Sequence, residues 1–584
     1  MIPVRRYWKL LRDYLRPHWA GVAVLGLLVG GGIAFQLVNP QLMARIIDGA
    51  MAGAEASTLT GLAVLFMVVA VAQQGLALAA TWIGQRIGWA ATNELRADLA
   101  DHTIRLDLGF HKQRTPGELI ERIDGDVTAL SNFFSQFVVH VVGNLVLLIG
   151  ILVLLTIESL WIGLVMIVFA AISMAAMLRV HHLAVPWWTG MRTRSAEFFG
   201  FVGEILGGTE EVRANGAAPF FMGRLTGILR SWLPDQVRAG AGWSALWSTN
   251  VFVFAFSTAL VYWLGERLFG AGDLTIGSVY LVFTYVELLR VPMDRIRDQM
   301  EDLQKAGAGI TRVEDLFAVT TKIADLGADH LPPGPLSVSF DRVTFGYDDE
   351  DAGGGPALDG VSFDVSQQVV LGILGRTGSG KTTVARLLTR LYDPDEGSVA
   401  VGGVSLRDVN PADLRRRVWM VSQDVQLFHA TLRDNLTLFS ESVDDHHLLD
   451  VLFRLGLGDL ALSLPSGLDS VLPPGGGGLS AGEGQLLAFA RAFLADPGLV
   501  VLDEASSRLD PATERLIERA VDHLLAGRTG ILIAHRLATL ERADEILIVD
   551  KGRVVEHGPR GVLAADSSSR FAHYLRVGME EVLV

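Results

Sequence analysis

A glycine-rich segment, Gly375 to Thr383, has the residue types and spacing of a phosphate-binding loop. An apolar run, Val369 to Leu374, precedes it as an expected strand, and a helix is expected to follow. Glycine lets the backbone turn so that its N–H groups face phosphate oxygens, and the N-terminus of the following helix adds positive charge. We therefore predict that the loop binds nucleotide phosphates, through Gly375, Thr377, Gly378, Ser379, Gly380, Lys381, Thr382 and Thr383.

Two side chains at the end of the loop have separate predicted roles. Lys381 supplies a positive charge for the β- and γ-phosphates, and the hydroxyl of Thr382 is placed to bind Mg²⁺. The alternative is a strand-to-helix turn that binds nothing, and the complete match to the motif disfavours it.

Two further apolar runs end in polar residues. Leu499 to Leu502 is followed by Asp503, which can hold Mg²⁺, and by Glu504, which can polarise an attacking water. Ile531 to Ala534 is followed by His535, which can hydrogen-bond the γ-phosphate or that water. A strand that ends in acidic residues is weak evidence alone, and a phosphate-binding loop in the same chain makes it strong. The predicted catalytic residues are Lys381, Glu504 and His535.

The first half of the chain contains six apolar runs, each close to the roughly 20 residues that cross a bilayer. Half of all residues are hydrophobic and the mean hydropathy is +0.37, which fits a protein with a large part in lipid. The predicted spans are Trp19 to about Leu42, Leu59 to Ile83, Phe134 to Ile157, Leu160 to Leu178, Trp243 to Phe269 and Leu274 to about Val291.

Basic residues are concentrated before the first run, between the second and third, and between the fourth and fifth. The positive-inside rule therefore places both termini and these two connections in the cytoplasm. Residues 3–17 alternate basic and apolar positions and predict a helix on the membrane surface. We expect an integral protein of the inner or plasma membrane of a prokaryote.

The two connections are roughly 50 and 60 residues long, too long for plain loops, and are predicted to continue the membrane helices. Gly109 to Gly117 and Asn215 to Pro219 interrupt the helical pattern, either as simple turns or as short crosswise helices. In the sixth run, Glu287 and Arg290 either line a cavity or neutralise each other.

Leu331 to Pro335 marks a predicted domain boundary. Residues 1–330 are predicted to form a transmembrane helical bundle, and residues 331–584 an α/β phosphate-loop nucleotide-binding domain that opens with strands at Leu336 to Phe345 and Leu358 to Val365. The absence of cysteine excludes disulfides and thiolate chemistry, and the net charge of −15 argues against nucleic acid as a partner.

Taken together, these motifs resemble the ATP-binding cassette (ABC) exporters, in which six membrane helices precede one ATPase domain. The resemblance implies ATP and Mg²⁺ as ligands, with Tyr347 stacking on adenine and Gln423 contacting Mg²⁺. It also implies that Leu479-Ser-Ala-Gly-Glu483 is the family signature, whose Ser480 and Gly482 donate to a γ-phosphate held by a partner chain, and that Asp510 belongs to the family's Ser-Ala-Leu-Asp loop. The two interruptions then correspond to coupling helices.

The signature departs from the family pattern. Ala481 stands in place of a glycine, Glu483 replaces a neutral glutamine, Arg508 replaces a small residue, and Pro473 to Gly478 replaces a charged stretch. Intact catalytic residues beside a divergent signature predict a heterodimer whose other subunit has a consensus signature and a defective catalytic carboxylate. A homodimer with a drifted signature remains the alternative.

The function expected from this resemblance is ATP-driven export of an amphipathic or lipid-like substrate by alternating access. An ATP-gated channel or a regulatory subunit on the same scaffold is the competing prediction. The six spans exclude a soluble ATPase acting on DNA, and an importer is disfavoured because importers usually carry these parts on separate chains.

Overall fold

The computed structural model describes residues 12–136, 141–270, 272, 274–323, 327–347, 355–440, 443–503, 511–534 and 537–577. The chain forms two compact units. Unit 1 comprises Met1–Ile104 and Gly117–Ala318, and unit 2 comprises Arg105–Pro116 and Val319–Val584. The predicted domain boundary after residue 330 stays a prediction.

The described part of unit 1 is helical. A 3₁₀ turn at Arg16–His18 leads into the first long helix, and a wide π-helical turn lies at Glu121–Asp126. The helices are α1 Trp19–Met51, α2 Ala56–Arg105, α4 Pro116–Ile120, α5 Val127–Gln136, α6 Gly143–Glu158, α7 Leu160–Gly207, α8 Thr209–Ala214, α9 Ala218–Gly270 and α10 Ile276–Ala318, with α3, Leu108–Lys112, belonging to unit 2.

Five helices in the described residues are long and apolar enough to cross a membrane: the segments Arg12–Met51, Ala56–Arg105, Leu160–Gly207, Ala218–Gly270 and Ile276–Arg295. They correspond to five of the six predicted spans. The predicted third span begins among residues outside the description, and its described part is the shorter apolar helix α6. The predicted surface helix at residues 3–17 also lies mostly outside the described residues.

One buried apolar cluster of unit 1 lies mainly on α6, α7 and α10. Ile151, Leu155 and Met166 are fully buried there. Tyr285 of α10 is buried too, and its hydroxyl donates to the Leu37 carbonyl at 2.7 Å. This polar contact fixes α10 against α1, because a buried hydroxyl left without a partner would be costly.

Glu287 and Arg290 contact different neighbours. The Glu287 carboxylate accepts a hydrogen bond from Thr258 at 3.4 Å, and the Arg290 guanidinium lies 5.7 Å from the ring centre of Phe254. Both contacts join α10 to α9. The choice between a cavity role and mutual neutralisation stays open.

The two predicted interruptions differ in detail. The first contains α3, which is capped by Asp107 through a 3.1 Å hydrogen bond from the Phe110 amide. The second, Asn215 to Pro219, holds a turn and the first residues of α9, and the short helix α8 ends just before it.

The C-terminal part of α10 is joined to the Glu121–Asp126 turn by a buried carboxylate. Asp126 is 3 % exposed and accepts from Arg312 through both Nε, at 2.8 Å, and Nη2. Asp124, in the same turn, also pairs with an arginine, Arg96, but its side chain is 69 % exposed. The same turn therefore contains two aspartate–arginine pairs, one with a buried carboxylate and one with an exposed carboxylate.

Unit 2 is an α/β structure. Its strands are β1 Val338–Phe345, β2 Leu358–Val365, β3 Val370–Leu374, β4 Glu396–Val401, β5 Val404–Ser405, β6 Val418–Val421, β7 Leu499–Asp503, β8 Thr529–Ile533, β9 Glu545–Asp550 and β10 Arg553–Pro559. Its other helices are α11 Lys381–Leu388, α12 Pro411–Arg417, α13 Leu432–Thr437, α14 Asp445–Arg454, α15 Gly458–Ser463, α16 Ala481–Ala495, α17 Pro511–Leu525, α18 Leu537–Leu540, α19 Arg560–Ala565 and α20 Arg570–Val577.

Two sheets form the body of unit 2. One has the strand order β10-β9-β3-β8-β7-β6, and the other has the order β2-β1-β4-β5. In the larger sheet every neighbouring pair from β9 to β6 is parallel, and β3 and β8 are buried along their whole length. Such burial explains their continuous apolar sequences. The strands predicted from these apolar runs are confirmed.

We expect Asp126→Asn to lower the thermal midpoint of the full chain, because it weakens charge-assisted hydrogen bonds worth about 2 kcal/mol at a buried site. Asp124→Asn is the matched control, since exposed pairs contribute less than about 1 kcal/mol. Thermal unfolding of the detergent-solubilised protein measures both. Equal shifts for the two variants would contradict a structural role for Asp126.

Candidate nucleotide-binding site

The phosphate-binding loop connects the central strand β3 to α11. Gly375 and Gly380 have φ angles of 155° and 108°, which a side chain disfavours. A Cβ at Gly380 would also stand 2.7 Å from the carbonyl of Ala357. The backbone conformation of the loop therefore requires glycine at these two positions.

Lys381 is the first residue of α11 and is only 5 % exposed. Its ammonium group donates to the carbonyls of Gly375, at 2.6 Å, and Arg376, at 3.1 Å. These bonds hold the charge over the loop. A buried ammonium needs such partners, and phosphate oxygens are stronger acceptors than carbonyls.

Among the described residues, the loop also contains one buried polar side-chain atom with no hydrogen-bond partner. The hydroxyl of Ser379 is buried, and it makes no hydrogen bond within the part of the chain that the structure describes. Unsatisfied buried hydroxyls are rare, and a ligand is one way in which they are satisfied. The loop thus fits a bound anion on geometry as well as on sequence.

Asp503 lies on the same edge of the sheet as the loop. It pairs with Ile533 of β8, and Ile533 pairs with Ile373 of β3. Strands lie about 4.8 Å apart, so the Asp503 backbone is about 10 Å from that of Ile373, two residues before the loop. Oxygen ligands such as the Asp503 carboxylate and the half-buried Thr382 hydroxyl suit Mg²⁺.

Three predicted site residues fall outside the described residues. Glu504 follows Asp503 directly, His535 follows Ala534, and Asp510 precedes α17. Their roles stay predictions. Arg508, one of the departures from the family pattern, also lies outside the described residues.

Tyr347 is hydrogen-bonded to α11, the helix that follows the phosphate-binding loop. Its hydroxyl is 3.0 Å from the Thr383 hydroxyl and accepts from Arg386 at 3.0 Å. The ammonium of Lys112, from α3, lies 4.9 Å from the ring centre. The predicted adenine-stacking ring is therefore fixed at its hydroxyl end, and a cation lies over it.

Sequence reasoning missed two of these neighbours, Lys112 and Arg386. Arg386 lies five positions after Lys381, and Lys112 lies within the predicted interruption of the first connection. Neither position has a motif of its own. Only the fold, in which Arg105–Pro116 joins unit 2, brings Lys112 to Tyr347.

The signature forms a capping box at the start of α16. The Ser480 hydroxyl and the Ser480 amide both donate to Oε2 of Glu483, at 2.9 and 2.7 Å, and the Glu483 amide donates back to the hydroxyl at 3.2 Å. A carboxylate in the first turn is further stabilised by the helix dipole. Ser480, one of the two residues predicted to donate to a phosphate, is therefore engaged by a side chain of the same motif.

Gln423 and Ser480 line one cavity of about 290 Å³, together with Gly475 and Gly476. The loop that replaces the family's charged stretch thus forms a wall beside the signature. Gly475 is tied there by a 3.2 Å hydrogen bond from its amide to the Leu427 carbonyl.

Arg491 of α16 connects the signature helix to the Gln423 segment. Its guanidinium donates to the carbonyls of Asn435, at 2.6 Å, and Gln426, at 3.1 Å. Burial lowers the pKa of Arg491, although arginine stays charged at neutral pH. The Arg491 side chain therefore orients the signature helix and the Gln423 segment, both of which are predicted to bind ligand.

Two family models match the chain: the ABC transporter transmembrane region over residues 22–293, and the ABC transporter model over residues 358–507. An ATP-dependent lipid A-core flippase of Idiomarina loihiensis is 28% identical over 97% of this chain and 96% of that protein. A multidrug efflux ATP-binding/permease protein of Mycobacterium bovis is 30% identical over 98% of this chain and 47% of that protein.

A solved structure of a bacterial Atm1-family ABC exporter with ATP bound has a TM-score of 0.81 and 25% sequence identity, and the match covers 96% of this chain and 99% of that one. The chain is therefore an ABC exporter, with an N-terminal membrane domain followed by a C-terminal ABC domain. It is an integral membrane protein that couples ATP hydrolysis to transport. The predicted fold class and enzyme class are confirmed.

We expect Lys381→Met to weaken ATP binding roughly 10- to 100-fold, the value of one or two charge-assisted hydrogen bonds. Equilibrium binding of a fluorescent ATP analogue to the purified full chain measures the change. Lys551→Met, in a surface turn of unit 2, is the control and should bind normally. An unchanged affinity in Lys381→Met would contradict the assigned site.

Proposed function

We propose that this chain is the catalytic subunit of a heterodimeric exporter for amphipathic or lipid-like molecules, with its ATPase domain in the cytoplasm. The observation that carries the proposal is an asymmetry within one chain. The phosphate-binding loop is complete, whereas the signature serine is bound to Glu483 of its own motif.

The capping box weakens the signature in two ways. An incoming γ-phosphate must displace the Glu483 carboxylate from the amide and hydroxyl of Ser480. It must also approach a second negative charge, a repulsion on the order of a few kcal/mol at about 4 Å in a partly solvated site. A glutamine can form the same capping box without the charge.

Ala481 is a second, smaller obstacle to phosphate binding at the signature. A methyl group replaces hydrogen at the first residue of α16, where backbone has to come close to a phosphate. We assign this signature to a site that binds ATP and turns it over slowly. The partner's signature would then complete the site built on Lys381.

At that second site the residues of this chain perform hydrolysis. Lys381 leaves the carbonyls of its loop to neutralise charge on the phosphates, Glu504 acts as the base for the attacking water, and His535 bonds the γ-phosphate. Thr382, Gln423 and Asp503 would hold Mg²⁺, which would offset the negative charge of the phosphates. Tyr347 holds the adenine.

The substrate class rests on the relatives and the membrane half. Several relatives are named lipid A-core flippases, and one is named a multidrug efflux protein. Molecules of both kinds combine an apolar body with a polar end. The apolar helices of unit 1 suit such molecules, and closure of two ATPase domains would drive alternating access.

We expect the chain purified alone to hydrolyse ATP slowly, because each site in a homodimer would be capped by a blocked signature. Combining Glu483→Gln with Ala481→Gly should raise kcat roughly tenfold or more, since the charge and the methyl group are removed while the capping box is retained. Steady-state ATPase measurements on the full chain test this.

Two further variants serve as controls for this ATPase measurement. Glu541→Gln changes an exposed carboxylate of unit 2 and should leave turnover unchanged. Glu504→Gln added to the activated double variant should abolish the gain while ATP still binds. High activity of the unmodified chain as a homodimer would refute the heterodimer, and no gain from the double variant would refute the role of Glu483.

Transport itself is tested in proteoliposomes that contain this chain together with the proposed partner. We expect ATP-dependent movement of a fluorescent phospholipid between leaflets, lost when Lys381→Met is introduced. Ion conductance without stoichiometric ATP turnover would instead favour a channel. Movement that is independent of ATP would contradict active export.

A further inference from the structure

A groove of about 590 Å³ lies between the start of α1 and the segment Trp82 to Ala90 of α2. Its walls include His18, Gly21 and Val24 from the first helix and Trp82, Arg86 and Ile87 from the second. The helices pack tightly at Gly21, where a Cβ would stand 3.0 Å from Ile87. A small residue at this point leaves a furrow open on the surface.

One end of this groove is marked by charge on both helices. No Asp, Glu, Lys or Arg lies between Arg16 and Arg45, or between Glu55 and Arg86. Arg16 therefore precedes the charge-free stretch of α1, and Arg86 follows the charge-free stretch of α2. They lie at the end that the positive-inside rule places at the cytoplasmic surface.

The charge of Arg86 faces an open surface. Its guanidinium lies 5.5 Å from the ring centre of Trp82, and Trp82 is 64 % exposed. None of the described residues that line this groove is acidic. The nearest acidic residues along the two helices, Asp13 and Glu94, lie beyond the lining on the cytoplasmic side.

The start of α1 is held in place beside α2. The hydroxyl of Tyr14 donates to the Asp98 carboxylate at 2.9 Å. This hydrogen bond holds the segment that leads into the lining residues Pro17 and His18, and Arg16 directly precedes them. The cations therefore belong to a defined surface between two helices.

We propose that the groove binds an anionic phospholipid of the cytoplasmic leaflet. Its phosphate is held by Arg86 with support from Arg16 and His18, the glycerol region packs on Trp82, and an acyl chain follows the furrow past Gly21 and Val24. Basic pockets between membrane helices on the cytoplasmic side recognise lipid headgroups in this way. A free phosphate would leave the apolar furrow unused, so the lipid is the occupant that matches the whole groove.

Native mass spectrometry of the full chain in detergent tests the site, with dioleoyl-phosphatidylglycerol and dioleoyl-phosphatidylcholine as probes of identical acyl chains. We expect the chain to retain the anionic lipid more tightly. Arg86→Gln should reduce its affinity roughly fivefold, the effect of one basic residue near a charged membrane surface. Equal retention of the two lipids would overturn the proposal.

Arg267→Gln is the matched control. Arg267 lies over Trp263 at 5.7 Å with the same spacing of four residues, but it is not part of this groove. Ala20→Leu fills the furrow while keeping every charge, and it should also weaken binding. The proposal fails if Arg267→Gln and Arg86→Gln weaken binding alike, or if Ala20→Leu has no effect.

Discussion

The nucleotide-binding half depends on the in-register parallel pairing of β3, β8 and β7. Because Ile373 and Asp503 both pair with Ile533, the end of the loop strand and the end of the acidic strand share one row of the sheet. A shift of one residue in either pairing would turn Asp503 to the opposite face. Burial of the strands fixes the register, so core packing sets the geometry of the site.

The signature illustrates how one charge changes a motif without changing its fold. Ser480 and Glu483 form a regular capping box, and α16 begins as expected for that sequence. The same hydrogen bonds that stabilise the helix start engage Ser480, which is predicted to donate to a γ-phosphate. Stability of the helix start and binding of an anion at that start therefore compete for the same groups.

The placement of the Tyr347 side chain depends on residues that are distant along the sequence. Its hydroxyl is fixed by Thr383 and Arg386, while Lys112 reaches its ring from the first long connection. Asp107 positions α3 by accepting from Phe110, and its second oxygen accepts from the Lys322 amide at 2.9 Å. Tyr347, which is predicted to stack on adenine, thus shares a set of contacts with the segment Arg105–Pro116.

Much of this protein was determined by sequence alone. The apolar runs, the loop from Gly375 to Thr383 and the strands around it are local patterns, and burial or backbone conformation imposes each of them directly. Spacing could not reveal that Arg105–Pro116 joins the second unit or that Lys112 covers Tyr347. These contacts were decided by the tertiary structure, because they depend on which surfaces meet and on the rotamers that packing leaves, and neither has a periodic signal along the chain.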